Sequence, residues 1–186
     1  MTIVFLSGSR KINRINDTVR SRVQNMIDQN FQIVVGDANG ADKALQVFLD
    51  QNHYRNVTVF CAGTTCRNNV GDWQTDQVLV DKKLSGRDFY TEKDKKMAAV
   101  ADYGFVLWDG KSAGSINNVF ELLKRGKKVV VYLSPKKEFL TITEPHDVDS
   151  LLQNCDSADY LSLNKKINMR RHMDDLHSTS QGSFSI

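Results

Sequence analysis

Little in the sequence marks it for a specialised environment. Of its 186 residues only three are cysteine and two are proline. Cys61, Cys66 and Cys155 form no framework, and so few cysteines exclude a disulfide-built miniprotein. Cys61 and Cys66 are too widely spaced for a Cys-x-x-Cys redox or zinc pair. No apolar run approaches the roughly 18 residues of a membrane span. The opening MTIVFLSGSR lacks a basic leader and a small-residue cleavage site, so it reads as a first strand. The odd cysteine count and that opening together set a reducing cytoplasm as the expected location. Charge of one sign is also missing. Lys+Arg number 25 and Asp+Glu 22, a net +3, too small a surplus to argue for nucleic acid. His53, His146, His172 and His177 show no ligand spacing, so neither a metal nor a cofactor is expected. No Walker pattern, no GxGxxG and no internal repeat is present, which excludes an ATPase or NAD-enzyme reading on motif grounds.

What is present is an ordinary globular balance, with 40% hydrophobic and 25% charged residues. Short apolar runs alternate with amphipathic stretches. Strands are expected at 2–7, 31–35, 57–61, 103–108 and 129–133. Helices are expected at 16–30, 41–51, 91–101, 115–125 and 148–154. Asn16 or Asp17 serves as an N-cap of the first, and Thr91 with Asp94 resembles a capping box. Residues 62–88 read as a long loop with a short helix over 73–84. Residues 1–160 then make a single Rossmann-like domain, and the polar, Ser-rich stretch 164–186 reads as a mobile tail.

Strands separated by helices predict an α/β fold, a three-layer sandwich around a parallel sheet of about five strands in the order 3-2-1-4-5. In that order the chain reverses direction between the first and fourth strands, and ligands bind at the carboxyl ends there. The sequence puts its unusual residues at those ends. The first strand ends in Ser7-Gly8-Ser9-Arg10, the second in Gly36-Asp37-Ala38-Asn39-Gly40-Ala41-Asp42, and the fourth in Asp109-Gly110-Lys111-Ser112-Ala113-Gly114-Ser115. Glycine admits close backbone approach, and helix N-termini offer unpaired N–H groups to phosphate.

These segments resemble the SLOG superfamily, which links the DNA-processing protein A domain, the "lonely guy" cytokinin-activating phosphoribohydrolases and many nucleotide-ligand sensors. The likeness spans roughly residues 2–135 and is greatest for a small bacterial and phage branch with a GSR start, a GxxxGxD loop and an SxGT-like turn. It implies a Rossmann-like fold and a nucleotide-type small-molecule ligand held by phosphate-binding loops. It also implies a homodimer or higher homo-oligomer. Where the phosphoribohydrolases carry Gly-Gly-x-Gly-Thr-x-x-Glu, this chain has Ser112-Ala113-Gly114-Ser115-Ile116-Asn117-Asn118. Asn118 stands in place of the acid. Cleavage of a nucleotide's N-glycosidic bond passes through an oxocarbenium-like state that a carboxylate stabilises, so a hydrolase would need Glu121, Asp42 or Asp109 instead.

The expected roles follow from residue type. Gly8, Ser9 and Arg10 hold a phosphate, with Arg10 as a bidentate fork. Gly36, Asp37, Asn39 and Gly40 shape the second loop. Asp42 either accepts from a ribose hydroxyl or caps the second helix. Gly114, Ser115 and Asn118 face a phosphate or ribose, and Ser112 is an N-cap. Trp108 stacks on a base or sits in the core, and Asp94 reads a base or sugar or is a solvated acid. Three functions are open at this point: a nucleotide-binding sensor or regulator, an N-glycosidic hydrolase with Glu121 and Asp42 as catalytic candidates, and a single-strand nucleic-acid binder. The +3 balance and sparse aromatic patches argue against the last.

Overall fold

The computed structural model describes residues 1–81 and 83–182, with side chains described through residue 177. The chain is α/β, with one seven-stranded sheet and, among the described residues, seven helices. The order along the chain is β1 (Ile3–Gly8), α1 (Asp17–Asp28), β2 (Gln32–Gly36), α2 (Ala41–Gln51), β3 (Val57–Ala62), β4 (Gln74–Val78) and α3 (Gly86–Val100). There follow β5 (Tyr103–Trp108), α4 (Ala113–Leu123), β6 (Val129–Leu133), β7 (Glu138–Ile142), α5 (Pro145–Leu152), α6 (Ser157–Ile167) and α7 (Met169–Gly182). The strand order is β4-β3-β2-β1-β5-β6-β7, and only the β6–β7 pairing is antiparallel.

The central strands are apolar along their whole length because both faces of the sheet are covered. In β1, Val4 and Leu6 face one layer and Phe5 the other. The first layer gathers Val19, Val23 and Met26 of α1 with Leu45 and Leu49 of α2. The second gathers Met97 of α3, Ile116, Val119 and Phe120 of α4, and Leu163 and Leu176 of the last two helices.

The sheet differs from the expected five strands in order 3-2-1-4-5. Two edge strands are added outside those five, which keep their relative order. One is β4, which replaces the short helix expected over 73–84. Its sequence, Gln-Thr-Asp-Gln-Val, is too polar to show as a strand, yet it suits a sheet edge. It is tied down by the Lys96–Asp76 ion pair at 2.7 Å and, just before it, by the Trp73 indole donating to Tyr54 O at 2.8 Å. The other is β7, a return strand made by the turn at 134–137, in which Lys137 takes φ 56°.

Helix α3 begins at Gly86, so Thr91 and Asp94 lie inside it and form no capping box. Asn16 does cap α1, accepting from Val19 N at 3.0 Å. The expected mobile tail is helical through Gly182, and residues 183–186 lie outside the described residues. A sparse apolar period within this polar stretch explains it. Ile167, Met169 and Leu176 are buried and Met173 packs against the same cluster. No helix among the described residues is long and apolar enough to cross a membrane.

Candidate functional site

Three strand-to-helix loops converge where β1 and β5 lie side by side. The contacts between them are backbone-close. Ala41 N donates to Ser9 O at 3.0 Å, joining the first two loops. Ser9 N donates to Leu107 O at 2.9 Å, and Ser9 Oγ donates to Asp109 Oδ2 at 2.7 Å, joining the first and third. Gly40, at φ 85°, sits so near Arg10 that a Cβ there would stand 2.4 Å from the Arg10 backbone. The loops enclose a crevice of about 590 Å³.

Asp109 organises the third loop. Its Oδ1 accepts from Lys111 N at 3.1 Å and Ser112 N at 2.7 Å while its other oxygen takes the Ser9 hydroxyl. Ser112 caps α4, and Ser115 Oγ donates to Ser112 Oγ at 3.0 Å. The first-turn N–H groups of Ala113 and Gly114 meet no protein acceptor among the described residues. They point the positive end of α4 at the crevice.

Of the expected site residues, Gly8, Ser9, Arg10, Asp42, Asp94, Gly114, Ser115 and Asn118 line the crevice. Ser9, whose N–H and hydroxyl are both used internally, braces the loops. Asn118 is buried; its Nδ2 donates to Ser7 Oγ at 3.2 Å and its Oδ1 has no partner among the described residues. A buried acceptor without a donor is costly to leave unmet, so this atom is suited to a ligand hydroxyl or N–H.

Gly36, Asp37, Asn39, Gly40 and Trp108 are not part of that lining. Trp108 is fully buried, with its indole N–H on Ser112 O at 3.2 Å, which settles it as core. Asn39 accepts from Asn68 Nδ2 at 3.0 Å. Glu121 does not line the crevice. Its carboxylate pairs with Arg125, four residues on and just past the end of α4, at 2.7 Å.

Under the crevice lies a cluster of charges that the sequence did not reveal. Lys93 of α3 is 3% exposed and pairs with Asp94 at 2.7 Å. Gly36 leaves the room it needs, because a Cβ there would lie 2.6 Å from Lys93 Nζ and 2.4 Å from Asp42 Oδ2. Burial pulls the Lys93 ammonium down, but Asp94, Asp42 and Asp37 overcome this and hold its pKa above the ordinary value. Asp37 is buried, and although burial raises its pKa, its bonds from the Arg67 side chain and backbone outweigh that and hold it low. Arg67 also lies over the Tyr90 ring, 4.1 Å from its centroid, and Arg10 approaches the same ring at 5.5 Å.

Asp42 does not cap α2; the N-cap is Gly40, and Asp42 Oδ2 accepts from Ala38 N at 3.2 Å. Burial raises the Asp42 pKa to about 6, against the pull of Lys93. Its folded value stands above its unfolded one, so its contribution to stability is whole below about pH 4 and is lost as pH rises through 6. Asp42→Asn, with Asp94 still pairing Lys93, removes that loss. Relative to the parent, the variant should gain on the order of 1–3 kcal/mol between pH 5 and pH 8, read by chemical denaturation. An unchanged difference between the two pH values would contradict this.

Arg67 and Lys93 escape sequence reasoning for different reasons. Arg67 lies in the unreadable stretch 62–88. There the chain turns back after β3, so that Cys61 and Cys66, with Cα atoms 5.1 Å apart, are joined by a disulfide. That pairing is a cross-link where the sequence reading found no cysteine framework, and Cys155 stays free. Lys93 reads as one more exposed lysine in a charged helix and is defined only by what surrounds it.

Seven cationic and four acidic side chains line the crevice, so it is net positive. Arg10 and Lys11 meet no carboxylate there among the described residues. The arrangement is chemically suited to an anion with hydrogen-bonding groups attached. No family model, curated protein or solved structure matches the chain.

Proposed function

We propose that the protein binds a nucleotide or nucleotide-derived ligand in this crevice, as a sensor or regulator on a Rossmann-like scaffold. One observation carries the reading. At the switch point between β1 and β5, an arginine without a carboxylate partner and the unbonded first-turn amides of α4 face one net-positive crevice. Arg10 and the α4 N-terminus hold the phosphate in this reading, and the open acceptor of Asn118 takes a ribose hydroxyl or base N–H. The SLOG resemblance points the same way.

The hydrolytic alternative is weakened by Glu121, which is engaged by Arg125 outside the crevice. The acids that line the crevice are Asp42, Asp94, Asp109 and Asp159, the last paired with Lys111.

The test is a thermal-shift panel of nucleoside monophosphates, diphosphates and ADP-ribose-type compounds, with free base monitored in the same tubes. A true ligand at 100 times its dissociation constant adds about 2.7 kcal/mol of stability, a shift of several degrees. Arg10→Ala should weaken that ligand about 10- to 100-fold. A flat panel at millimolar ligand would sink the reading. Release of free base would make the protein a hydrolase.

A further inference from the structure

We infer that helix α6 completes a second anion subsite in the crevice, formed by Arg87 and Lys166, so that the ligand carries two separate anionic groups. This rests on the nucleotide reading and narrows it to a nucleotide bearing a second phosphate away from the first.

Helix α6 runs along the crevice from the loop before α4 to the first turn of α3. Near its start Asp159 pairs with Lys111, just before α4, at 2.7 Å. Near its end Lys166 O accepts from Arg87 Nη1, in the first turn of α3, at 2.8 Å. Asp159, Ser162 and Lys166 stand at i, i+3 and i+7, one face of the helix, and all three line the crevice. At 1.5 Å per residue the two ends of that face are about 10 Å apart.

The charges along this face are unequal. Asp159 is matched by Lys111, whereas the Arg87 and Lys166 side chains meet no carboxylate among the described residues. Two exposed cations therefore line the end of the crevice remote from Lys111, with the Arg87 guanidinium resting on the Lys166 carbonyl. The phosphate assigned to the α4 N-terminus leaves them unanswered. Arg87 and Lys166 also fit a purely structural role, easing the C-terminal end of the α6 dipole. That role affects stability and not the choice of ligand, which is how the two are separated.

The experiment is equilibrium titration of the full chain with adenosine and guanosine 5′-monophosphates and the matching 3′,5′-bisphosphates. The bisphosphate should bind about 5- to 30-fold more tightly than its monophosphate. Lys166→Gln should erase most of that margin while lowering monophosphate affinity much less. Lys165→Gln, the same charge change one residue away and outside the crevice lining, should keep it. Arg87→Gln should reduce the margin likewise. Monophosphate binding with no bisphosphate margin, or a margin that survives both Lys166→Gln and Arg87→Gln, overturns the inference and leaves the nucleotide reading standing. Binding of neither class removes both.

Discussion

Replacing Lys93 with methionine is expected to lower stability by about 3–5 kcal/mol, a fall of roughly 10 °C or more in melting temperature. The size follows from what the ammonium holds together. Lys93 is almost wholly buried, and Asp94, Asp42 and Asp37 all act on it. Methionine fills a similar volume, so the loss is not one of packing. It leaves three carboxylates around an apolar side chain, with Arg67 paired directly to Asp37 and acting on Asp42 from further off. Two further results distinguish this from a general defect. Adding Asp42→Asn to Lys93→Met should restore part of the loss, because one uncompensated charge is gone. The deficit of Lys93→Met should also shrink as pH falls from 8 to 5, since Asp42, with a pKa of about 6 even beside Lys93, is then protonated. Thermal or chemical denaturation of the four variants at two pH values measures all of this. A loss under about 1 kcal/mol, independent of pH, would mean the cluster is not held by its lysine.

Gly40→Ala is expected to be nearly as damaging, by about 2–4 kcal/mol, and to weaken ligand binding along with it. Gly40 has φ 85° and ψ −129°, a backbone region closed to side-chain-bearing residues. A Cβ there would also stand 2.4 Å from the Arg10 Cα and carbonyl oxygen, atoms of the neighbouring loop with no rotamer to move. The methyl group therefore forces the first two loops apart. Arg10 is the residue displaced, so its cation leaves the crevice. The separate loss of affinity is the informative part. Gly110→Ala provides the contrast. Gly110 has φ 80°, but a methyl group there would meet nothing within 4 Å, so that variant carries conformational strain alone. Equal effects of the two on stability and binding would show that loop contact at Arg10 plays no role.

The parts of this structure that are legible in the sequence are those where local pattern and burial coincide. The helix over 41–51 has the bounds its sequence predicts, because Leu45 and Leu49 mark its inner face between a glycine turn and a polar stop. The five central strands stand out because parallel strands buried on both faces are apolar at nearly every position. Edge strands carry no such mark. In Gln74–Val78 the side chains are mostly exposed, so its pairing with β3 is written in backbone hydrogen bonds that any sequence can make. The loops at 8–10, 36–42 and 109–115 are legible as a site through glycine and small polar residues at strand ends.

Which of those residues face the crevice is not legible. Ser9 turns its donors inward, Asp37 is claimed by Arg67, and Glu121 by Arg125. Each of these is a long-range or one-turn pairing decided by geometry. Although Asp37, Asp42 and Asp94 belong to the expected site, the Lys93 they surround and helix α6 lie outside it. They come from segments whose composition reads as surface.

The measurement that bears most directly on the central claim is a crystal structure of the full chain with a nucleoside monophosphate from the positive end of the panel. The account predicts the phosphate against the N–H groups of Ala113 and Gly114, with the Arg10 guanidinium on its outer oxygens and a sugar or base donor on Asn118 Oδ1. A nucleotide seated elsewhere, with these three groups left without a ligand atom, would contradict it.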